Sequence, residues 1–295
     1  MTHNDVSIAN NIHVGIAGWS YPDWEGYVYP RGTKDKLRYV AEYYDVIEIN
    51  STFYRPPEPQ IATSWLNRTE DLEGFYFTAK IHQDVTHRGR IDKSVTDAFA
   101  TAFEPMAEAG RLRHLLAQFR YDFADATDSR THLSCIRDAF GHVANITLEL
   151  RHSSWQSRDA LDFLRTLDVS VANLDYPLAQ DSFNLPTCDV GEHAYFRLHG
   201  RNAKAWFSKT GRDETYNYLY DKRELDDIVA RALRIGQLSK SLTLIANNHY
   251  RGKEAANALE IKAMLEAERV DVPPPLLSRY PHLETIAKPA EGMLF

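Results

Sequence analysis

Ile146-Thr147-Leu148-Glu149-Leu150-Arg151 is the stretch from which the fold can be read. Residues two apart in a strand share a face, so Leu148 and Leu150 fall on one side and Glu149 and Arg151 on the other. Working outward, seven more short apolar runs end the same way, in polar or charged side chains. They are His13 to Trp19, Val46 to Asn50, Phe75 to Lys80, His114 to Phe119, Val169 to Asp175, Tyr195 to His199 and Thr243 to Asn248. Most are separated by stretches with room for a helix, and eight strands alternating with helices predict an α/β protein, a (β/α)8 TIM-type barrel. In such barrels the C-terminal strand ends and the loops after them carry the chemistry.

The same parity predicts what lines the barrel mouth. Glu48 and Asn50, Thr78 and Lys80, Glu149 and Arg151, Asn173 and Asp175, and Arg197 and His199 form polar pairs, with Gln118 and Asn247 in matching places. Their apolar alternates include Ile47, Ile49, Phe77, Leu148, Ala172, Leu174, Phe196 and Leu198. Outward positions must bury against helices, so the polar set is expected to point inward.

The 295 residues suit one large barrel, since the fold takes roughly 250. A single domain is expected, with its core at about 12–270 and an irregular, proline-rich tail over 271–295. With 34 basic and 41 acidic side chains the formal net charge is −7, against bulk electrostatic binding of nucleic acid. Cys135 and Cys188 are too few and too far apart for a disulfide scaffold or a thiolate metal site, and read as reduced thiols. Residues 1–11 lack an apolar core of signal-peptide length, and no apolar run approaches the ~18 residues that span a bilayer. A cytoplasmic protein without membrane partners is the expectation.

Val95, Ala98, Phe99, Ala102, Phe103, Met106 and Ala107 make a helical stripe that suits packing on a sheet. Ala160, Phe163, Leu164 and Leu167, and then Ala256, Leu259, Ala263 and Ala267, repeat the rule. Residues 176–193 hold Pro177, Pro186 and Gly191 and little periodicity, which predicts a loop or a degraded sixth helix. Three loops fall on the active face. The first carries Trp19, Tyr21, Trp24, Tyr27 and Tyr29, either a stacking platform for a sugar or base or a plug at the rim. The third holds His82, Thr86, His87, Arg88 and Arg90. The seventh places Arg201, Lys204, Trp206, Phe207, Lys209 and Arg212 ahead of Tyr216, Tyr218 and Tyr220, which suits a mobile cover over an anionic ligand.

Several strings, in this order, resemble the YecE-like family, domain of unknown function 72. They are Gly18-Trp19-Ser20-Tyr21, Glu48 through Tyr54, Thr86-His87, Glu149 through Trp155, Arg197-Leu198-His199-Gly200, Asn247-Asn248 and Ala255-Ala256-Asn257-Ala258. The resemblance covers roughly residues 12 to 265 and implies a TIM-type barrel, without implying a reaction. Gln118-Phe119-Arg120-Tyr121 lacks the proline that often follows this glutamine in the family, so the fourth loop is expected to differ.

Four readings of the mouth compete. Glu48, Glu149 and Asp175 against Lys80, Arg151 and Arg197 could form a structural ion-pair network. A divalent ion on Glu48, Glu149, Asp175 and His199, as in a metal-dependent phosphoesterase, is disfavoured by three nearby cations and the absence of compact ligand spacing. The favoured reading is a hydrolase or lyase that needs no cofactor and acts on an anionic phosphorylated or polyhydroxy small molecule. In it Glu149, His199, Lys80, Glu48 and Asp175 move protons or polarise a carbonyl, Lys80 forming a Schiff base if its pKa is lowered. Arg151, Arg197, Asn50, Gln118, Asn247, Trp19, Tyr21 and His87 would hold the substrate. The fourth is a non-catalytic nucleotide or nucleic-acid binding module, built from basic residues and stacking aromatics. Dinucleotide, NTPase and serine-hydrolase motifs are absent.

Overall fold

A computed structural model describes residues 8–208 and 211–289. Strands β1 (Ile12–Ala17), β2 (Val46–Ile49), β3 (Tyr76–Lys80), β4 (Leu112–Gln118), β5 (Asn145–Glu149), β6 (Ser170–Asp175), β7 (His193–Leu198) and β8 (Ser241–Ala246) pair in chain order. All pairings are parallel, and β8 closes on β1. The barrel is thus a closed (β/α)8 TIM type. Gly15 is in register with Val46 of β2, and a Cβ there would stand 1.9 Å from the Val46 carbonyl oxygen, which only glycine avoids.

Around it run α1 (Lys36–Ala41), α2 (Pro59–Asn67), α3 (Lys93–Glu108), α4 (Thr127–Phe140), α5 (Arg158–Thr166), α6 (Lys222–Gly236) and α7 (Lys253–Glu266). The stripe read on α3 buries Phe99, Ala102, Phe103 and Met106. Asp221 starts α6 with a capping box, its side chain accepting from Glu224 N while Glu224 accepts from Asp221 N. No helix lies between β6 and β7. The loop there is tied down by Asn173, which bonds Cys188 N at 2.8 Å and Cys188 O at 3.2 Å. Arg231 of α6 adds bonds to the Leu185, Pro186 and Leu174 carbonyls at 3.0, 2.7 and 2.8 Å.

Two expectations are corrected. The face assignment of β6 is reversed: Leu174 is in register with inward Arg197, while Asn173 and Asp175 pair with outward Phe196 and Leu198. Ala172 and Leu174 accordingly pack inside the barrel with Tyr195 and Ile245. Polar Asn173 is tolerated outside because the loop backbone satisfies it. The tail is also less irregular than predicted. It holds α8 (Pro274–Arg279), begun by prolines whose fixed φ suits a first helical turn. A 3-10 turn follows at Pro281–Thr285, and Val270 bridges Ala287. No helix among the described residues is long and apolar enough to cross a membrane.

Candidate active site

Polar side chains are stacked inside the barrel among the apolar Ala172, Leu174 and Ile245. Toward its N-terminal end Tyr76 bonds Thr243 at 2.7 Å and His114 bonds Thr147 at 2.8 Å. Above them the Tyr195 hydroxyl donates to Glu48 Oε2 at 2.9 Å and takes a bond from Thr78 at 2.8 Å. The next level is charged. Arg197 lies fully buried between two fully buried carboxylates, donating from Nη2 to Glu48 Oε1 at 2.7 Å and from Nη1 to Glu149 Oε2. Burial alone would lower the Arg197 pKa, but the facing carboxylates outweigh it and hold the charge. Burial likewise works against the Glu149 carboxylate, and Arg197, Arg151 and His199 overcome it, keeping its pKa well below the ordinary range.

Arg151, one strand end above, donates from Nε and Nη2 to Glu149 Oε1 at 2.9 and 2.6 Å. Gln118 donates to the same oxygen at 2.7 Å and accepts from Lys80 Nζ at 2.5 Å. Two carboxylates therefore face two guanidiniums. Among the described residues Lys80 has no carboxylate within ion-pairing distance, and its ammonium answers only to an amide oxygen and to the Phe53 ring at 4.8 Å. Burial, reinforced by Arg197 and Arg151 and only partly offset by Glu48 and Glu149, pushes the amine down to about 7. Burial also pushes His199 down to about 4, so it is neutral at neutral pH. Its Nδ1 faces the Asn247 amide nitrogen at 3.0 Å, which places the ring proton on Nε2, 3.4 Å from Glu149 Oε1.

Over this layer open two adjoining cavities. One, about 410 Å³, is lined by Asn50, Phe53, Tyr54, Lys80, His87, Gln118, Phe119, Arg120, Tyr121, Arg151 and Tyr216. The other, about 890 Å³, shares Tyr121, Arg151 and Tyr216 with it and continues to His152, Tyr176, Gln180, Ser182, Trp206 and Phe207. Of the residues expected in the mouth, Lys80, Gln118, Asn50, Arg151 and His87 line a cavity. Glu48, Glu149, Arg197, His199 and Asn247 converge just beneath, in the buried layer. Arg197 is thus no substrate clamp: both its partners are carboxylates and no part of it is exposed.

Asp175 is a further correction. It follows the reversed face of β6 outward, to Arg201 at 2.6 and 2.9 Å and the Tyr220 hydroxyl at 2.8 Å. The metal-ligand set that needed it falls with it, since Arg197 also stands between Glu48 and Glu149. Among the described residues no three His, Cys, Asp or Glu side chains are grouped to hold a metal ion. Trp19 and Tyr21 line neither cavity. Trp19 packs edge-on against Trp65 at 5.5 Å and Tyr21 stacks on His249 at 4.5 Å, while Trp24 and Tyr29 are fully buried. Trp24 and Tyr29 thus pack into the rim, while Trp19 and Tyr21 stay partly exposed on it. In the seventh loop Arg201 is spent on Asp175 and Glu224; Lys209 and the Arg212 side chain lie outside the described residues.

Sequence reasoning did not place Phe53, Tyr54, Arg120, Tyr121 or Tyr176 in the mouth. The signal for two of them was present, because Arg120 and Tyr121 sit in the segment that departs from the family pattern after Gln118.

A family model described as a protein of unknown function, DUF72, matches residues 13–280. A crystal structure of a DUF72 family protein from Thermotoga maritima is 31% identical, with a TM-score of 0.77, covering 86% of this chain and 99% of that one. One from Enterococcus faecalis, 24% identical with a TM-score of 0.77, covers 88% and 97% and shares the fold. The UPF0759 protein YecE of Escherichia coli strain K12 is 29% identical over 99 residues, 32% of this chain and 34% of that protein, so the match spans about a third of this curated relative's length. With the family pattern running from the first strand through α8, on a barrel that the Thermotoga protein shares over nearly its whole length, this chain belongs to the DUF72 family.

Proposed function

We propose that the mouth is the active site of an enzyme of hydrolase or lyase type, working by acid–base chemistry on an anionic phosphorylated or polyhydroxy small molecule. The observation that carries this reading is Lys80, an amine with no carboxylate partner among the described residues, lining a cavity of about 410 Å³ whose wall includes Arg151, Arg120 and His87. An amine pushed down to about 7 is poised to exchange a proton near neutral pH. Arg151 uses Nε and Nη2 on Glu149, which leaves Nη1 for a phosphate or a row of hydroxyls. Glu48, Glu149, Arg197 and His199 act from below, by fixing the field at Lys80 and the position of Arg151.

Millimolar phosphate or sulfate is expected to raise the melting temperature of the wild-type protein above that in chloride of equal ionic strength. The gain should shrink in Arg151→Ala, where Glu149 still keeps Arg197 and Gln118. An equal response in both proteins would remove the anion site. The aromatic wall of Tyr121, Trp206, Phe207 and Tyr216 supports one other reading, a non-catalytic nucleotide site. Under it, a nucleoside monophosphate stabilises the protein more than ribose 5-phosphate does, and no turnover of either is found.

A further inference from the structure

We propose that Lys80 is a nucleophile that holds an aldehyde or ketone sugar phosphate as an imine, with the substrate's anionic end at Arg151. This rests on the mouth being an active site and adds a covalent step to it. Lys80 is partly buried, and lysines drawn into an interior are ordinarily matched by a carboxylate. Here both carboxylates of the layer are committed to guanidiniums, and among the described residues the one hydrogen-bond partner of Nζ is the Gln118 amide oxygen. A single donated bond fixes the nitrogen while leaving its lone pair, once neutral, for the cavity. The Phe53 ring at 4.8 Å walls one side against water. At pH 7 about half of such an amine is neutral, on the order of 10³ times the fraction of an ordinary lysine.

The step balances without an oxidant or reductant. The nitrogen lone pair adds to the carbonyl carbon, the π pair moves to oxygen, and a proton passes from nitrogen to that oxygen. Protonation of the resulting hydroxyl lets it leave as water, and the C=N bond forms. His87, on the wall of the same cavity, is the imidazole placed to carry these protons. The iminium then draws electrons from an adjacent C–H or C–C bond, which is what a lyase requires of its covalent intermediate.

The test is reductive trapping on the whole protein with glyceraldehyde 3-phosphate and cyanoborohydride, read by mass spectrometry of peptides. One adduct per chain is expected, at Lys80. At pH 7 it should form faster than any surface-lysine adduct by roughly tenfold or more, given the larger neutral fraction. Its rate should level off above about pH 7, whereas surface lysines gain up to about pH 10. Unphosphorylated glyceraldehyde should need a higher concentration, and inorganic phosphate should compete. Lys80→Arg, which keeps a cation but forms no imine, should take no adduct there; the peptide map of wild-type protein decides the matter even if that variant misfolds. Label spread over surface lysines, with Lys80 no faster, would overturn the imine. If phosphate still stabilised the protein through Arg151 in that case, the anion site would stand and only the covalent step would fall.

Discussion

Glu149 is the residue on which the layer depends, since Arg197, Arg151 and Gln118 all donate to its two oxygens. Glu149→Gln leaves two guanidiniums short of a negative charge in a buried place. Breaking a buried pair in this way costs about 3–5 kcal/mol, and urea unfolding is expected to show a loss of that size. A loss below about 1 kcal/mol would mean that water or neighbouring groups compensate. The pH dependence has a definite sign. The folded-state pKa of Glu149 lies below its ordinary 4.5, so its contribution is complete above that value and fades as pH falls toward the folded pKa. The gap in stability between wild type and Glu149→Gln should therefore be widest above pH 4.5 and narrow in acid.

At the scale of elements, the loop that stands in for a sixth helix is held by few, identifiable bonds. Asn173→Ala strips the partners from the Cys188 backbone N–H and carbonyl, both buried, and leaving such groups unsatisfied costs about 1–3 kcal/mol. Faster proteolysis within residues 176–192 should accompany that loss; an unchanged cleavage rate would show that Arg231 suffices to hold the loop. The same element marks the limit of what the sequence discloses. On β2, β3, β5 and β7 the alternation of polar and apolar side chains names the inward face correctly, because helices outside accept only apolar partners. Ala172-Asn173-Leu174-Asp175 has the same alternation, yet there the outer layer is a loop whose free N–H and C=O groups welcome an amide. Strand order, the missing helix and the convergence of Glu48, Glu149, Arg197 and His199 were legible. Their burial was not, since alternation gives a side chain's face but not its depth below the rim.

For the molecule as a whole, the segment from Val270 to Ala287 fastens one side of the barrel. Leu276 and Leu283 are fully buried, Arg279 donates to Gly26 O at 3.1 Å and His282 reaches Glu260 at 3.4 Å, so the segment spans from the first loop to α7. Leu283→Ala is expected to cost about 2–5 kcal/mol, as emptying a fully buried leucine site does. A calorimetric midpoint unchanged from wild type would mean that the strap peels away before the barrel melts. The absent helix between β6 and β7 reaches further than stability. That loop, through Tyr176, Ala179, Gln180, Asp181 and Ser182, and the next, through Trp206, Phe207, Thr215 and Tyr216, supply most of the larger cavity's lining, while the charged layer sits on strands and just past their ends. The cavity wall and the charged layer are thus written on separate stretches of chain, so that substitutions in two loops reshape the larger cavity while Lys80, Gln118, Glu149 and Arg197 keep their places.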